Sequence, residues 1–481
     1  MRQLRMLAER TPAGRDRYVD FLRALAISLV VLGHWTVTVV TYGTGDLTGF
    51  SALDELRWVR LVTWLFQVIP VFFLVGGFAN AASLASSRGR GQTATQWLLT
   101  RSQRLVRPTT VLLLVLAAGS LVGRLAGGDS AEIRTVVGFA TIPLWFLSAY
   151  IAVVAFTPVM YRLHLRLGFV VPLTLVALVA VGDVGRLLGH GPLSGGNFLF
   201  GWLAIHQIGF AWYDSYAAER ETRPLAGQDR SRGLLSHRLP VGRTTAGLLF
   251  LVGFGVLLLL TVVGPYPVSM ITVPGERLDN SSPPSLALLA LAAGQLGLIL
   301  LVRHRAERWL LRSGPWRVVV AANAVVLTVF LWHLSAVVLL VGGLNLVHWL
   351  PPASVGTGAW WAWRLPWLAA LAVILTALVA VFGRIEARAA RRRPASRPAM
   401  AAGRLTPVLR TALTVVGYAG LVMGLLINSM VSMSRPEPLG LPPATLVVYL
   451  IGAGILRLLR SAPTESANHL AAAPPDVDRN G

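Results

Sequence analysis

Three histidines, His34, His206 and His333, stand in stretches of sequence that are otherwise apolar, where an ionisable side chain is costly and marks function. A neutral imidazole titrates near physiological pH and takes a proton from a hydroxyl, so the chemistry on offer is general-base catalysis. The alternative for each is a histidine hydrogen-bonded inside a helix bundle. His34 lies eleven residues beyond Arg23, about 16 Å along a helix, which places it well inside a membrane and too deep to snorkel. His333, in F-L-W-H-L-S, falls midway along its run and suits structural hydrogen bonding or contact with an acceptor. No His-x3-His or carboxylate pair lies on one predicted helix and there are no cysteines, so no metal site is expected.

Other residues could bind rather than react. Asp20 and Arg23, at i and i+3, share a face near the cytoplasmic end of the first apolar run, where a topological anchor and a part in catalysis both fit. Arg101, Arg104 and Arg107 recur every three residues in T-R-S-Q-R-L-V-R-P-T, with Pro108 close to the expected membrane boundary. Such spacing gathers guanidinium groups on one side of a helix, suited to phosphate or to ordinary cytoplasmic charge. Gly76 and Gly77 allow two backbones to approach closely. Trp145 lies near an outer interface, where an aromatic belt is the plain reading.

The elements that must position these groups are transmembrane helices. Of 481 residues 54% are hydrophobic and only 13% charged, with a mean hydropathy of +0.63, which excludes a large soluble domain. Apolar runs long enough to cross a bilayer start near Tyr18, Leu61, Thr109, Ile142, Leu167, Phe198, Thr245, Leu286, Val318, Leu365, Thr406 and Ala444. The chain is therefore expected to be an all-α polytopic membrane protein of about twelve transmembrane helices. Its net charge of +22 supports the count: 33 arginines fall in alternate segments and eight in the intervening ones, so both termini are expected to be cytoplasmic and nucleic acid is not expected as a partner. Every basic residue is arginine, a usage typical of high-GC bacterial genes. The expected organisation is a cytoplasmic N-terminus (1–17), a membrane domain of about ten helices (18–385), a basic cytoplasmic linker (386–405), two further helices (406–460) and a disordered tail (461–481).

These segments together resemble the acyltransferase family 3 membrane proteins. The stretch R-Y-V-D-F-L-R-A-L-A-I-S-L-V-V-L-G-H-W reproduces that family's first-helix arginine and histidine, here Arg23 and His34. In order follow P-V-F-F-L-V-G-G-F, the R-x-x-R arginines, W-F-L and the late L-W-H-L, over residues 15 to 385. Gly76 stands where many members have serine. The resemblance implies transfer of an acyl group, often acetyl, from cytoplasmic acyl-CoA to a hydroxyl of a glycan, lipid or metabolite, in the bacterial inner membrane. It implies His34 as the catalytic histidine, Arg23 as its motif partner with Asp20 beside it, and Arg101, Arg104 and Arg107 at the CoA phosphates. R-S-Q-R and R-L-V-R both fit the family pair. Trp145 and His333 are left as acceptor contacts or structural support. No bound cofactor is expected, acyl-CoA (acetyl-CoA in particular) being a co-substrate; membrane lipids and envelope-assembly proteins are the expected partners. The exterior hydrolase-like domain of some relatives is not in this sequence, so the membrane domain or a separate protein is expected to complete the reaction. Helices 406–460 lie outside the resemblance, so truncation near Arg397 is expected to leave acyl-CoA turnover measurable.

A twelve-helix transporter and a non-catalytic scaffold are the rival readings. The spans are poor in acidic groups that would line a transport path, and no internal repeat is evident. Reporter fusions test the topology: one after Ser285 should read outside and one after Arg397 inside, and a cytoplasmic signal from loop 265–285 would overturn the helix assignment.

Overall fold

The computed structural model describes residues 16–42, 47–220, 235–273, 276, 278–350, 354–391, 405–433 and 435–461. The N-terminal segment to residue 15, most of the basic linker (392–404) and the tail from 462 lie outside the described residues.

Helix α1 (Arg17–Val37) starts where the Asp16 side chain accepts hydrogen bonds from the amides of Tyr18 and Val19. It ends where the β-branched run T-V-T-V-V-T turns extended. There a small antiparallel hairpin forms, β1 (Thr38–Tyr42) against β2 (Leu47–Ser51), which the hydropathy pattern had absorbed into the helix and its loop. Helices α2 (Val59–Phe66) and α3 (Ile69–Gly89) make one span, interrupted at Gln67 and Val68 just before Pro70. Helix α4 (Ala94–Leu125) opens with a Thr93/Gln96 capping box and runs unbroken through Pro108. Pro108 is therefore inside a helix that begins 15 residues before the Thr109 start read from hydropathy, and all three arginines sit on it.

There follow α5 (Ser130–Thr141), α6 (Leu144–Leu167), α7 (Val170–Leu187), α8 (Asn197–Arg220), α9 (Arg243–Leu258, closed by a π turn over Leu259–Val263) and α10 (Leu286–Leu310). The ninth expected span is two helices, α11 (Ser313–Ala324) and α12 (Val326–Leu346), broken at Val325. Asn323 sits at the break and donates its amide to its own i−4 carbonyl, Val319, and to the carbonyl of Asp20, a competition that weakens helix propagation. The chain closes with α13 (Gly358–Arg391), α14 (Pro407–Met430) and α15 (Pro443–Ser461).

Among the described residues eleven helices are long and apolar enough to cross a membrane, and the chain is an all-α polytopic membrane protein apart from the hairpin. The helix at the remaining expected position, α8, is 24 residues long but carries Asn197, His206, Gln207 and Asp214, and it is buried among α3, α6 and α7. Its polar side chains face protein, as irregular or polar groups at membrane depth must.

Two packing features position the rest. Helix α1 touches α3, α10, α11, α12 and α13, so its residues reach most of the bundle. Helices α3 and α8 meet backbone to backbone: a Cβ on Gly77 would lie 2.1 Å from the His206 carbonyl oxygen, and one on Gly209 would lie 2.2 Å from that of Leu74. The last pair is not peripheral. Helix α14 packs on α6 and α4, and α15 on α4. Tyr418 and Tyr449 donate to the carbonyls of Leu98 and Val106 on α4, while the buried Arg134 of α5 donates to Val431 and Gly440 in the α14–α15 connection. Truncation near Arg397 would expose the faces of α4 and α6 that this pair covers, so the packing argues against the expectation that the shortened chain keeps its turnover.

The two neighbouring glycines should respond differently. Gly77→Ala forces a methyl into backbone and should cost at least ~3 kcal/mol, the upper end of ordinary overpacking. Gly76→Ala meets only the Tyr150 ring, at 3.1 Å, which must give by a few tenths of an ångström, and should cost about 1 kcal/mol. Thermal unfolding in detergent separates them; equal melting temperatures would show that α3 and α8 are not in such close contact.

Candidate functional site

The central geometry joins two helices far apart in sequence. His34 Nδ1 lies 2.8 Å from His333 Nε2, with the rings nearly parallel at 4° and their centroids 5.0 Å apart. His333 is fully buried, and its Nδ1 lies 2.6 Å from the Phe330 carbonyl oxygen. A carbonyl only accepts, so His333 Nδ1 carries the proton and its Nε2 is an acceptor in the neutral ring. His34 Nδ1 must then be the donor. Its own Nε2 is left with a lone pair, the state a general base needs.

The surroundings hold this pair in register. His34 occupies the last turn of α1, three residues from its end. The indole of Trp35 donates to the His333 carbonyl at 2.9 Å, and Trp367 on α13 donates to the Trp35 carbonyl at 3.1 Å. Arg364, stacked 4.1 Å over the Trp360 ring, donates to the Thr38 carbonyl at 3.0 Å, placing a cation at the carbonyl end of α1. An aromatic path, His333 to Phe330 to Phe146 to Trp145, leads away from the pair. Trp145 itself packs against Phe198 and Trp202 and is separated from His333 by two rings.

The other predicted residues form separate groups. Arg23 donates to Asp20 at 3.0 Å near the start of α1, with Asp20 buried, and neither touches His34. The three arginines of α4 diverge around the helix instead of stacking. Arg101 donates from Nε (3.1 Å) and Nη2 (2.5 Å) to Asn80 Oδ1, Arg104 is exposed, and Arg107 is half-buried toward α15, within electrostatic range of Arg460. Steps of three residues advance about 300° around a helix, so 101 and 107 end up about 120° apart.

Asn80, Trp35, Arg364 and Trp367 were not singled out by sequence reasoning. With its oxygen taken by Arg101, Asn80 donates its amide nitrogen to His206 Nε2 at 3.0 Å, deep in the α3–α8 contact. His206 thereby ties to Arg101 of α4 rather than to the histidine pair. The signal for Arg364 was available: it is an arginine inside an apolar run flanked by tryptophans, W-W-A-W-R-L-P-W, which the cost of membrane charge flags by itself. Asn80 carried no such signal, since F-A-N-A reads as ordinary helix.

The family model described as an acyltransferase domain, that of acyltransferase family 3, matches residues 16–384. No curated protein and no solved structure matches the chain. The matched region contains both histidines and the three arginines of α4, and it ends before α14 and α15.

Asn80→Leu leaves His206 Nε2 buried without a donor and should lower stability by about 1–3 kcal/mol, read as a fall in melting temperature. Adding His206→Phe removes the unpaired imidazole and should recover part of the loss, the rest being the Arg101 guanidinium left without its Asn80 acceptor. If Asn80→Leu melts with the parent, the Arg101–Asn80–His206 chain contributes nothing.

Proposed function

Because the chain belongs to acyltransferase family 3, we propose that it is a membrane O-acyltransferase moving an acyl group, acetyl in the first instance, from cytoplasmic acyl-CoA to a hydroxyl of an envelope glycan, lipid or metabolite. The observation that carries this reading is the His34–His333 hydrogen bond, which leaves His34 Nε2 as the acceptor. In the proposed step an acceptor hydroxyl gives its proton to His34 Nε2 while its oxygen attacks the thioester carbonyl carbon. The tetrahedral intermediate collapses, the carbon–sulfur bond breaks, and the proton passes from His34 to the leaving thiolate, giving ester and free CoA. His333 is a positioning residue. Its Nε2 accepts from His34 Nδ1 before and after proton uptake, so the His34 ring keeps one orientation throughout, the part a carboxylate has in a serine-hydrolase triad.

The donor would bind by its phosphates at Arg101, Arg104 and Arg107, whose planar, always charged groups suit phosphate oxygens. The α1 segment from Arg23 to His34 rises about 16 Å, comparable to the reach of a pantetheine arm, so phosphates held near the cytoplasmic end present the thioester near the histidine pair. Arg23, held by Asp20, lies along that way. The localisation that follows is the bacterial inner membrane, with the acceptor met from the membrane or its outer face.

Acyl-CoA turnover by the purified protein tests the assignment. His34→Ala and His34→Gln should each lose 10²- to 10⁴-fold, since neither residue cycles a proton; Gln retains an amide donor for His333 Nε2 and should melt near the parent, while Ala leaves that nitrogen unpaired and should also melt lower. His333→Gln keeps an acceptor oxygen for His34 and should lose less than His333→Phe. Near-parental turnover in folded His34→Gln would sink the general-base role. Mass spectrometry of envelope glycans and lipids with and without the protein identifies the acceptor.

A further inference from the structure

Helix α9 lies at the edge of the bundle, and α10 is its main neighbour. Glycines bring the two together: a Cβ on Gly253 would lie 2.3 Å from the Gly294 nitrogen, and one on Gly297 would lie 2.3 Å from that of Phe250. The face of α9 that makes this contact runs through Ala246, Phe250 and Gly253, and one turn back along it stands Arg243. The matching face of α10 runs through Gly294 and Gly297 on to Leu301, His304 and Arg308. Helices held this close by glycine must part where arginine and histidine take its place. A cavity of about 620 Å³ opens there, lined by Arg243, His304, Glu307, Arg308 and Leu311, at the helix ends expected to be cytoplasmic.

The charge lining this cavity is unbalanced. Its one carboxylate is already engaged: Arg303, outside the lining, donates to one oxygen of Glu307 at 2.9 Å, and His304 Nδ1 lies 3.8 Å from the other. The side chains of Arg243 and Arg308 have neither a carboxylate nor a hydrogen-bond partner among the described residues. Positive charge on the cytoplasmic side accounts for exposed arginines in general, and the carbonyl end of α10 favours a cation at Arg308. Neither accounts for the position of Arg243. It stands in the first turn of α9, the end of a helix where a cation is disfavoured, and on the face turned to a second arginine, although any other face would serve topology as well.

We propose that this cavity holds the headgroup phosphate of an anionic phospholipid, with Arg243 and Arg308 on its oxygens and its acyl chains laid along the edge formed by α9 and α10. Two parts of one molecule match two parts of the site. Guanidinium forks suit phosphate oxygens, and basic clefts between helix ends at the cytoplasmic face meet the anionic lipids of that leaflet. Apolar surface flanks the cavity for the chains: Leu301 is exposed one turn from His304, Leu311 is exposed at the rim, and Leu248, Leu251 and Val252 are exposed at i, i+3 and i+4 on α9. A soluble phosphate would use only the arginines. The site shares no residue with the proposed donor arginines of α4 and stands whether or not the donor reading does.

The test uses the full chain in nonionic detergent, titrated with phosphatidylglycerol or with phosphatidylcholine, and reads retained lipid by native mass spectrometry. The parent should retain phosphatidylglycerol in preference to phosphatidylcholine. Arg243→Ala and Arg308→Ala should each weaken phosphatidylglycerol binding about fivefold, and the double variant about thirtyfold, as expected for one and two arginines at an anionic headgroup. Arg243→Lys/Arg308→Lys should fall between parent and double variant, keeping charge but not the planar fork. Arg162→Ala/Arg166→Ala, which removes two exposed arginines from the end of α6, should bind like the parent. If the cavity double variant does not fold, as judged by thermal unfolding, Arg243→Gln and Arg308→Gln each carry the fivefold expectation. Equal loss in the two alanine pairs would reduce the effect to diffuse cytoplasmic charge and overturn the proposal, as would parental affinity in the folded cavity variants or equal retention of both lipids by the parent. Displacement of phosphatidylglycerol by millimolar glycerol 3-phosphate or inorganic phosphate would make the cavity a site for a soluble anion, and the lipid assignment would fall.

Discussion

The hydrogen bond between His34 and His333 fixes what most of the bundle is arranged around. Two neutral rings share one proton between facing nitrogens, and the direction of that proton is set from behind by the Phe330 carbonyl. Everything that holds α1 against α12 serves that alignment. Trp35, one residue from His34, bonds the backbone of His333 itself, so the side-chain pair and the backbone contact constrain the same two residues at once. The cation of Arg364 at the carbonyl end of α1 and the Trp367 contact behind Trp35 come from a third helix. A ring nitrogen displaced by even one ångström would no longer bond at 2.8 Å, and three helices resist that displacement.

A second polar system lies toward the other end of α4. Arg101, Asn80 and His206 form a buried chain across the α3–α8 contact, made possible because Gly77 and Gly209 let those backbones touch. Close approach of small residues and internal hydrogen bonding are the two ways helices associate where lipid offers no hydrophobic drive. Here both occur at one crossing. The polar residues that make α8 a poor membrane span are the ones that tie it to its neighbours.

The sequence made much of this visible, for identifiable reasons. Helix positions followed from long apolar runs, and starts such as Leu286 and Thr406 coincide with observed caps or first residues because polar or proline residues mark them sharply. His34 and His333 stood out because charge-capable groups are rare in such runs. Their meeting did not, since a contact between residues 34 and 333 has no local pattern. The break at Val325 was hidden for a related reason: A-A-N-A-V-V reads as continuous helix until one knows that Asn323 has the Asp20 carbonyl to bond. The β1–β2 hairpin was missed because a β-branched apolar run satisfies a hydropathy window as well as a helix does. The role of α14 and α15 could not be read from a family pattern that stops before them.

The break at Val325 also gives α1 a mechanical character. Its lower end is pinned to α11 through Asn323 and the Asp20 carbonyl, and its upper end to α12 through His34 and Trp35. Between the pins runs an unbroken helix whose length is fixed at about 1.5 Å per residue, some 22 Å from Asp20 to Trp35. A rigid strut held at both ends by two halves of one hinged rod cannot stretch to absorb a change in the hinge angle; it must tilt or turn. Any flexing of α11 against α12 is thereby converted into a tilt or turn of α1 as one body, which carries the ring of His34 and the guanidinium of Arg23 together relative to the helices around them.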